Sequence, residues 1–179
     1  MSKEGTIYRI SGPVVTAIGM NASMFDIVRV GDEGLMGEVI ELHGEKAIIQ
    51  VYEDTSGIRP GEPVTNTGDT LSVSLGPGLL TEIYDGIQRP LATLEEIMGV
   101  FITRGVDADG INMEKIWTFE ATAAEGDRVE SGQVIGSVQE TETIAHKIMV
   151  PPGKGGVITS IKSGDFNVTE TICTLDDGT

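Results

Sequence analysis

Five runs of five or six residues, rich in Ile and Val and separated by Gly, Pro and Asp turns, fill the first fifty positions and constrain the fold more than any other feature. They are Thr6–Ile10, Val14–Ile18, Phe25–Val30, Gly37–Leu42 and Lys46–Val51. The links Gly31-Asp32-Glu33-Gly34 and His43-Gly44-Glu45 are short enough for hairpins. Short strands recurring roughly every ten residues predict a small closed antiparallel barrel, because a sheet this narrow left open would expose adhesive edges. Composition agrees: 24 glycines and only 4% aromatics favour strands with tight turns over a thick helical core.

The middle of the chain reads as a connector. The turn-rich stretch Thr55–Pro63 leads into Leu71-Ser72-Val73-Ser74-Leu75, a strand handing over to the next region. Leu79, Leu80, Ile83 and Ile87 have helical spacing up to Pro90, and Leu91, Leu94, Ile97 and Met98 predict a second short helix over 91–98. Arg104–Gly110 forms a polar exit. The last third is β-rich again and carries a loose internal repeat: Glu125-Gly126-Asp127-Arg128-Val129 through Val138 recurs as Ser163-Gly164-Asp165 through Leu175. The expectation is therefore a mainly β chain with a small closed antiparallel β-barrel over 1–73, a linker with short helices over 74–110, and a barrel-sandwich-like β module over 111–179.

Charge narrows the function classes. The excess of 28 acidic over 12 basic residues, a net charge of −16, opposes nucleic-acid binding, which needs clustered Lys and Arg. It equally opposes a polybasic membrane anchor and suits either a basic protein partner or simple solubility. No apolar run reaches the roughly 20 residues of a membrane span, and the N-terminus lacks an apolar signal core, so a cytoplasmic location is expected. The single cysteine, Cys173, excludes an intrachain disulfide framework and reads as a partly buried structural thiol. In that setting the sequons at Asn21 and Asn167 carry no meaning.

Each chemical motif tested falls short. The repeat is similar to the layout of biotinyl and lipoyl carrier domains, which bear a cofactor on a lysine at the tip of a central hairpin. That tip falls at Thr141-Glu142-Thr143, with Glu142 where the lysine belongs; Lys147 comes five residues late. The one Gly-Lys pair, Gly153-Lys154, lacks the upstream glycine and is followed by Gly155, so Gly153, Gly155 and Gly156 read as turn residues rather than a phosphate loop. His43 and His146 have no partner ligands at metal spacing. Asp107 and Asp109 open like a calcium loop, but Asn112 and Thr118 occupy its required glycine and glutamate positions. No Gly-x-Ser-x-Gly elbow exists. No catalytic, cofactor-binding or metal-binding residue is assigned.

Four stretches resemble one family. Ile10-Ser11-Gly12-Pro13-Val14-Val15, Gly34-Leu35-Met36-Gly37-Glu38-Val39-Ile40 and Gln50–Ile58 with Pro60–Val64 are similar to the N-terminal barrel of rotary ATPase A subunits. Leu71–Leu80, continuing through Ile83–Leu91, is the most specific and resembles the segment leaving that barrel in archaeal A-type and vacuolar V-type enzymes. The β-rich part after Gly110 resembles the insertion that distinguishes these A subunits. The resemblance implies a ring of alternating A and B subunits (A3B3) held by the barrels, with the insertion contacting the peripheral stalk and the membrane reached only through the complex. It implies ATP-coupled proton or sodium transport and Mg–ATP use by the parent protein. The family's P-loop, Mg-organising acid and catalytic glutamate lie beyond Thr179, so this chain alone is expected to bind no cofactor and to be inactive. A truncated form of the parent protein is the simpler expectation; a biotinyl- or lipoyl-like carrier and a stand-alone interaction protein are the alternatives.

Overall fold

The computed structural model describes residues 3–99, 101 and 103–178. The five sequence runs become strands β1 (Glu4–Ser11), β2 (Val14–Ile18), β3 (Asp26–Val30), β4 (Leu35–His43) and β5 (Lys46–Val51), and a sixth, β6 (Pro63–Thr70), completes them. Their order is β1-β2-β5-β4-β3-β6, closed into a barrel with every pairing antiparallel. Alternation along each strand sends Ile7, Val15, Ala17, Val28, Val30, Leu35, Val39, Ala47, Ile49, Val51 and Val64 inward, all essentially without solvent contact. Bulges in β1 between Ile7 and Arg9 and in the β4–β5 pair between Val39 and Glu41 supply the bending that closure demands.

The closing strand is not the one the sequence suggests. Leu71–Leu75, expected as a strand, lies outside regular structure, and β6 is the polar stretch just before it. Only Val64 and Asn66 of β6 are buried. Asn66 enters the interior because its amide is fully used: Nδ2 donates to Asn21 O at 2.9 Å and Asp26 Oδ2 at 2.7 Å, and Oδ1 accepts from Gly68 N at 2.8 Å.

The chain divides into two compact units. The first comprises Met1–Val73 with Thr93–Ala108, the second Ser74–Ala92 with Asp109–Thr179. Helix α1 (Leu91–Met98) forms where its periodicity predicts, buries Leu94, and stops at Gly99, whose N–H reaches Glu95 O at 2.8 Å with φ +67. The expected helix over 79–87 is reduced to one 3₁₀ turn, Leu79–Thr81. Gly78 at φ +107 and Gln88 at φ +62 take left-handed conformations incompatible with a helix, and Asp85 Oδ1 captures the Ile87 and Arg89 amides at 3.0 and 2.9 Å.

The second unit is a sandwich built from β7 (Trp117–Ala121), β8 (Arg128–Val129), β9 (Val134–Gln139), β10 (Ala145–Met149), β11 (Gly156–Ile161), β12 (Gly164–Phe166) and β13 (Cys173–Leu175). One sheet runs β10-β9-β7-β12 and the other β13-β11-β8. Val129, Ile135, Val150, Ile158 and Leu175 make one core cluster, while Trp117, Phe119 and Val138 make a second; Ile148 and Ile161 pack against both. Gly136 in β9 is required by the second cluster, since a Cβ there would lie 2.3 Å from the Phe119 ring. The sequence repeat is not a structural one throughout: Gly126-Asp127 sits in a turn before β8, whereas Gly164-Asp165 lies inside β12.

Candidate functional site

In the barrel unit the polar exit segment is a clamp. Arg104 forms a forked pair with Glu33, Nε to Oε2 at 2.5 Å and Nη2 to Oε1 at 2.9 Å. Its Nη1 donates to Asp54 O at 3.2 Å and to Ser56 O. The Glu33 carboxylate bonded to it, opposed by some desolvation, raises the Arg104 pKa above its ordinary value. Gly105 N donates to Glu53 Oε2 at 2.8 Å, and Arg29 pairs with Asp107 at 2.5 Å. Asp107 thus holds an arginine in place of the cation its spacing first suggested. Asp54 is held below the usual carboxylate range by bonds from the Ser56 hydroxyl and amide.

In the sandwich unit the corresponding feature is Glu140, whose side chain has no solvent exposure. Oε1 accepts the N–H groups of Gly78 at 2.7 Å and Leu80 at 3.1 Å, and Oε2 faces His146 Nδ1 at 3.0 Å. Burial pushes this carboxyl up, but the two amides and the histidine outweigh it and hold it below its ordinary value. The segment so gripped is pinned a second time: Gln88 Oε1 accepts from Ser74 N at 2.6 Å and Nε2 donates to Ser74 O at 2.7 Å. Within the same unit Leu75, Pro77, Trp117, Phe119, Val168 and Ile172 line an apolar cleft of about 540 Å³.

The other candidates are placed as follows. Glu142 is exposed at the tip of the β9–β10 hairpin, while Lys147 is exposed within β10, opposite Ser137, and so sits away from the tip. Gly153 and Lys154 sit in the turn leading to β11, where Gly153 N donates to Ser131 Oγ at 3.2 Å and Lys154 N to Pro151 O at 3.1 Å. With these two amides used internally, the turn does not fit the phosphate cradle of a P-loop. His43 Nε2 lies 2.7 Å from Glu41, and Cys173 is half-buried, its thiol pushed up by that burial. Among the described residues no three His, Cys, Asp or Glu side chains gather as metal ligands, and no helix is long and apolar enough to cross a membrane. The Glu140–His146 pair carries no signal in the sequence, because the two meet only where the chain reverses between β9 and β10.

Residues 7–68 match the sequence model of the ATP synthase alpha/beta family, beta-barrel domain, and residues 108–179 that of the ATPsynthase alpha/beta subunit barrel-sandwich domain. Among curated relatives, the A subunit of the A-type ATP synthase of Methanosarcina barkeri is 63% identical over all 179 residues of this chain, which span 31% of that protein. Its counterpart in Methanoculleus marisnigri is 61% identical over 98% of the chain and 30% of the relative, and that in Natronomonas pharaonis 57% over 99% and 31%. The chain thus spans under a third of the length of these relatives. Two family domains in consecutive order, on a closed barrel followed by a sandwich, make the chain a member of the ATP synthase alpha/beta family, homologous to the N-terminal region of the A subunit of A-type ATP synthases.

Proposed function

We propose that the chain is the assembly region of the catalytic A subunit of a rotary ATP synthase. Its barrel packs among the barrels of B subunits in an A3B3 ring, and its sandwich meets the peripheral stalk. The identity of 57–63% to A-type ATP synthase A subunits across both domains is the observation that carries this reading. The barrel surface supports it. Closure leaves no strand edge to offer, so contact falls to exposed side chains, and Tyr8, Met24 and Phe25 are 54%, 42% and 56% exposed. Phe25 is held at φ +71, a strained conformation for a bulky residue, and presents its ring outward.

In this reading Mg–ATP binding and hydrolysis or synthesis belong to the part of the protein that the relatives carry and this chain does not span. The complex couples that chemistry to ion transport from the cytoplasmic face of a membrane, which this chain reaches only through other subunits. The functional division follows as barrel 1–73, connector 74–110 and sandwich 111–179.

The test uses the full-length protein. Removing residues 1–73 abolishes alternating hexamers with B subunits in native mass spectrometry, while removing 111–179 leaves the ring and abolishes stalk binding. A ring that forms without residues 1–73, or a stalk that still binds without 111–179, overturns the corresponding half.

A further inference from the structure

The segment from Ser74 to Glu82 crosses the open side of the second core cluster with almost no regular structure to hold it. Its only element is a three-residue 3₁₀ turn, and of its apolar side chains Leu75 is 79% exposed and Leu80 62%, leaving Pro77 buried and Leu79 half-buried. Hydrophobic burial therefore holds it chiefly at Pro77, with a part from Leu79. Polar contacts do so at two points, Gln88 on Ser74 and the buried Glu140 on Gly78 and Leu80. Underneath, the backbone lies directly on the core: a Cβ on Gly76 would be 3.2 Å from Ile111 Cδ1, and one on Gly78 3.3 Å from the Trp117 ring.

We propose that residues 74–82 are a latched strap over the apolar cleft of the sandwich, with Glu140 as the catch. Two further facts mark the closed position as one that can be left. Trp117 Nε1 and Tyr84 Oη are both buried and find no protein hydrogen-bond partner among the described residues. Buried donors of this kind favour any opening that brings them to water. The closed state of the strap thus rests on the Glu140 and Gln88 bonds, with these two donors of the same unit unmet. Release requires no strand to separate, because none of β7–β13 includes a strap residue. What release exposes is the cleft floor of Trp117, Phe119, Val168 and Ile172, a surface for apolar groups. This inference concerns the sandwich alone and stands apart from the ring reading.

Native-state hydrogen exchange on the 179-residue chain tests the proposal directly. The Gly78 and Leu80 amides are expected to exchange through a local opening, at denaturant concentrations where the amides of β7 and β9 remain protected. Exchange of all four at one common global midpoint overturns it. In Glu140→Ala, those two amides exchange at least tenfold faster, and emission from Trp117, the sole tryptophan, shifts to the red. Anilinonaphthalene sulfonate, an apolar probe, then binds. Glu140→Gln keeps most of the protection because its amide oxygen can still accept both N–H groups. Unchanged exchange at Gly78 and Leu80 in Glu140→Ala, or protection lost uniformly over β7–β13, overturns the proposal.

Discussion

The carboxylate of Glu140, the residue after β9, accepts the backbone N–H of Gly78 from 2.7 Å across 62 positions of sequence. Gly78 can take that bond only because it is a glycine. Its φ of +107 lies where other residues are strained, and a Cβ would press against Trp117 at 3.3 Å. Strain of this kind costs about 1–3 kcal/mol per residue. Gly78→Ala is expected to destabilise the sandwich by that amount, read from the urea midpoint of Trp117 fluorescence. A midpoint equal to that of the parent chain would show that the turn tolerates a side chain.

Acid should loosen the same contact. Burial raises the Glu140 carboxyl, but the Leu80 and Gly78 amides and His146 lower it further, for a net depression. A depressed carboxyl stabilises the fold fully above its unfolded value, about 4.3, and that contribution disappears as pH falls through the folded value. Tyr84, raised by burial and by the charges of Glu82 and Glu140, stays neutral throughout this window. Asp85, lowered by the Arg89 backbone and side chain and the Ile87 amide against its desolvation, adds to the acid limb with the same sign. The stability difference between the parent chain and Glu140→Gln is expected to shrink as pH falls from 5 to below about 4. Urea titrations at fixed pH values measure it, and a difference that grows as pH falls contradicts the assignment.

What is legible in the sequence follows from where apolar residues carry the structure. Strands β2 and β5 begin and end where their Ile and Val runs do, because both alternate cleanly into the barrel core. β6 is hidden for the opposite reason: Pro63-Val64-Thr65-Asn66-Thr67-Gly68-Asp69-Thr70 has one apolar inward residue, and its pairing is stabilised by Asn66. The helical spacing of Leu79, Leu80, Ile83 and Ile87 misleads because Leu80 and Ile83 face solvent, 62% and 73% exposed, and so mark no buried face. The hairpin tip at Thr141–Thr143 is where the repeat places it, yet the pair it creates leaves no trace in the sequence. Glu140 and His146 meet only because the chain reverses between them, and nothing in their spacing of six distinguishes that from chance.

Asn66 therefore offers a sharper test of the barrel than any apolar position. Its side-chain amide is the buried donor shared by Asn21 O and the Asp26 carboxylate, with Asp26 otherwise bonded to Ser23 N at 2.7 Å. Removing the donor leaves a buried carboxylate short of a partner, which costs about 1–3 kcal/mol. Asn66→Ala is expected to lose that much barrel stability. Asn66→Asp should lose more at pH 7, because two carboxylates would then face each other across 2.7 Å, and should recover as pH falls. Thermal melts followed by circular dichroism at pH 7 and pH 4.5 separate the two. An Asp variant as stable as the parent chain at both would show that water enters the site.

The Arg104 clamp should respond to geometry rather than to charge. Its guanidinium meets Glu33 through two parallel bonds while a third nitrogen serves the carbonyls of Asp54 and Ser56. Lysine retains the charge but has one nitrogen, and it cannot span both the carboxylate and the carbonyl pair. Arg104→Lys is therefore expected to behave nearly as Arg104→Ala. In both, the Gly105 amide, bonded to Glu53, exchanges several-fold faster while the strands β1–β6 keep their protection. The position tolerates little drift, since a Cβ on Gly105 would already meet Glu33 O at close range. Salt distinguishes the alternatives. A purely ionic tie weakens between 0.05 and 0.5 M NaCl as the screening length falls from roughly 14 to 4 Å, whereas the forked pair and carbonyl bonds of Arg104 hold Gly105 protected at both. Protection that falls away with salt in the parent chain, or that Lys preserves, would reduce the clamp to a surface charge pair.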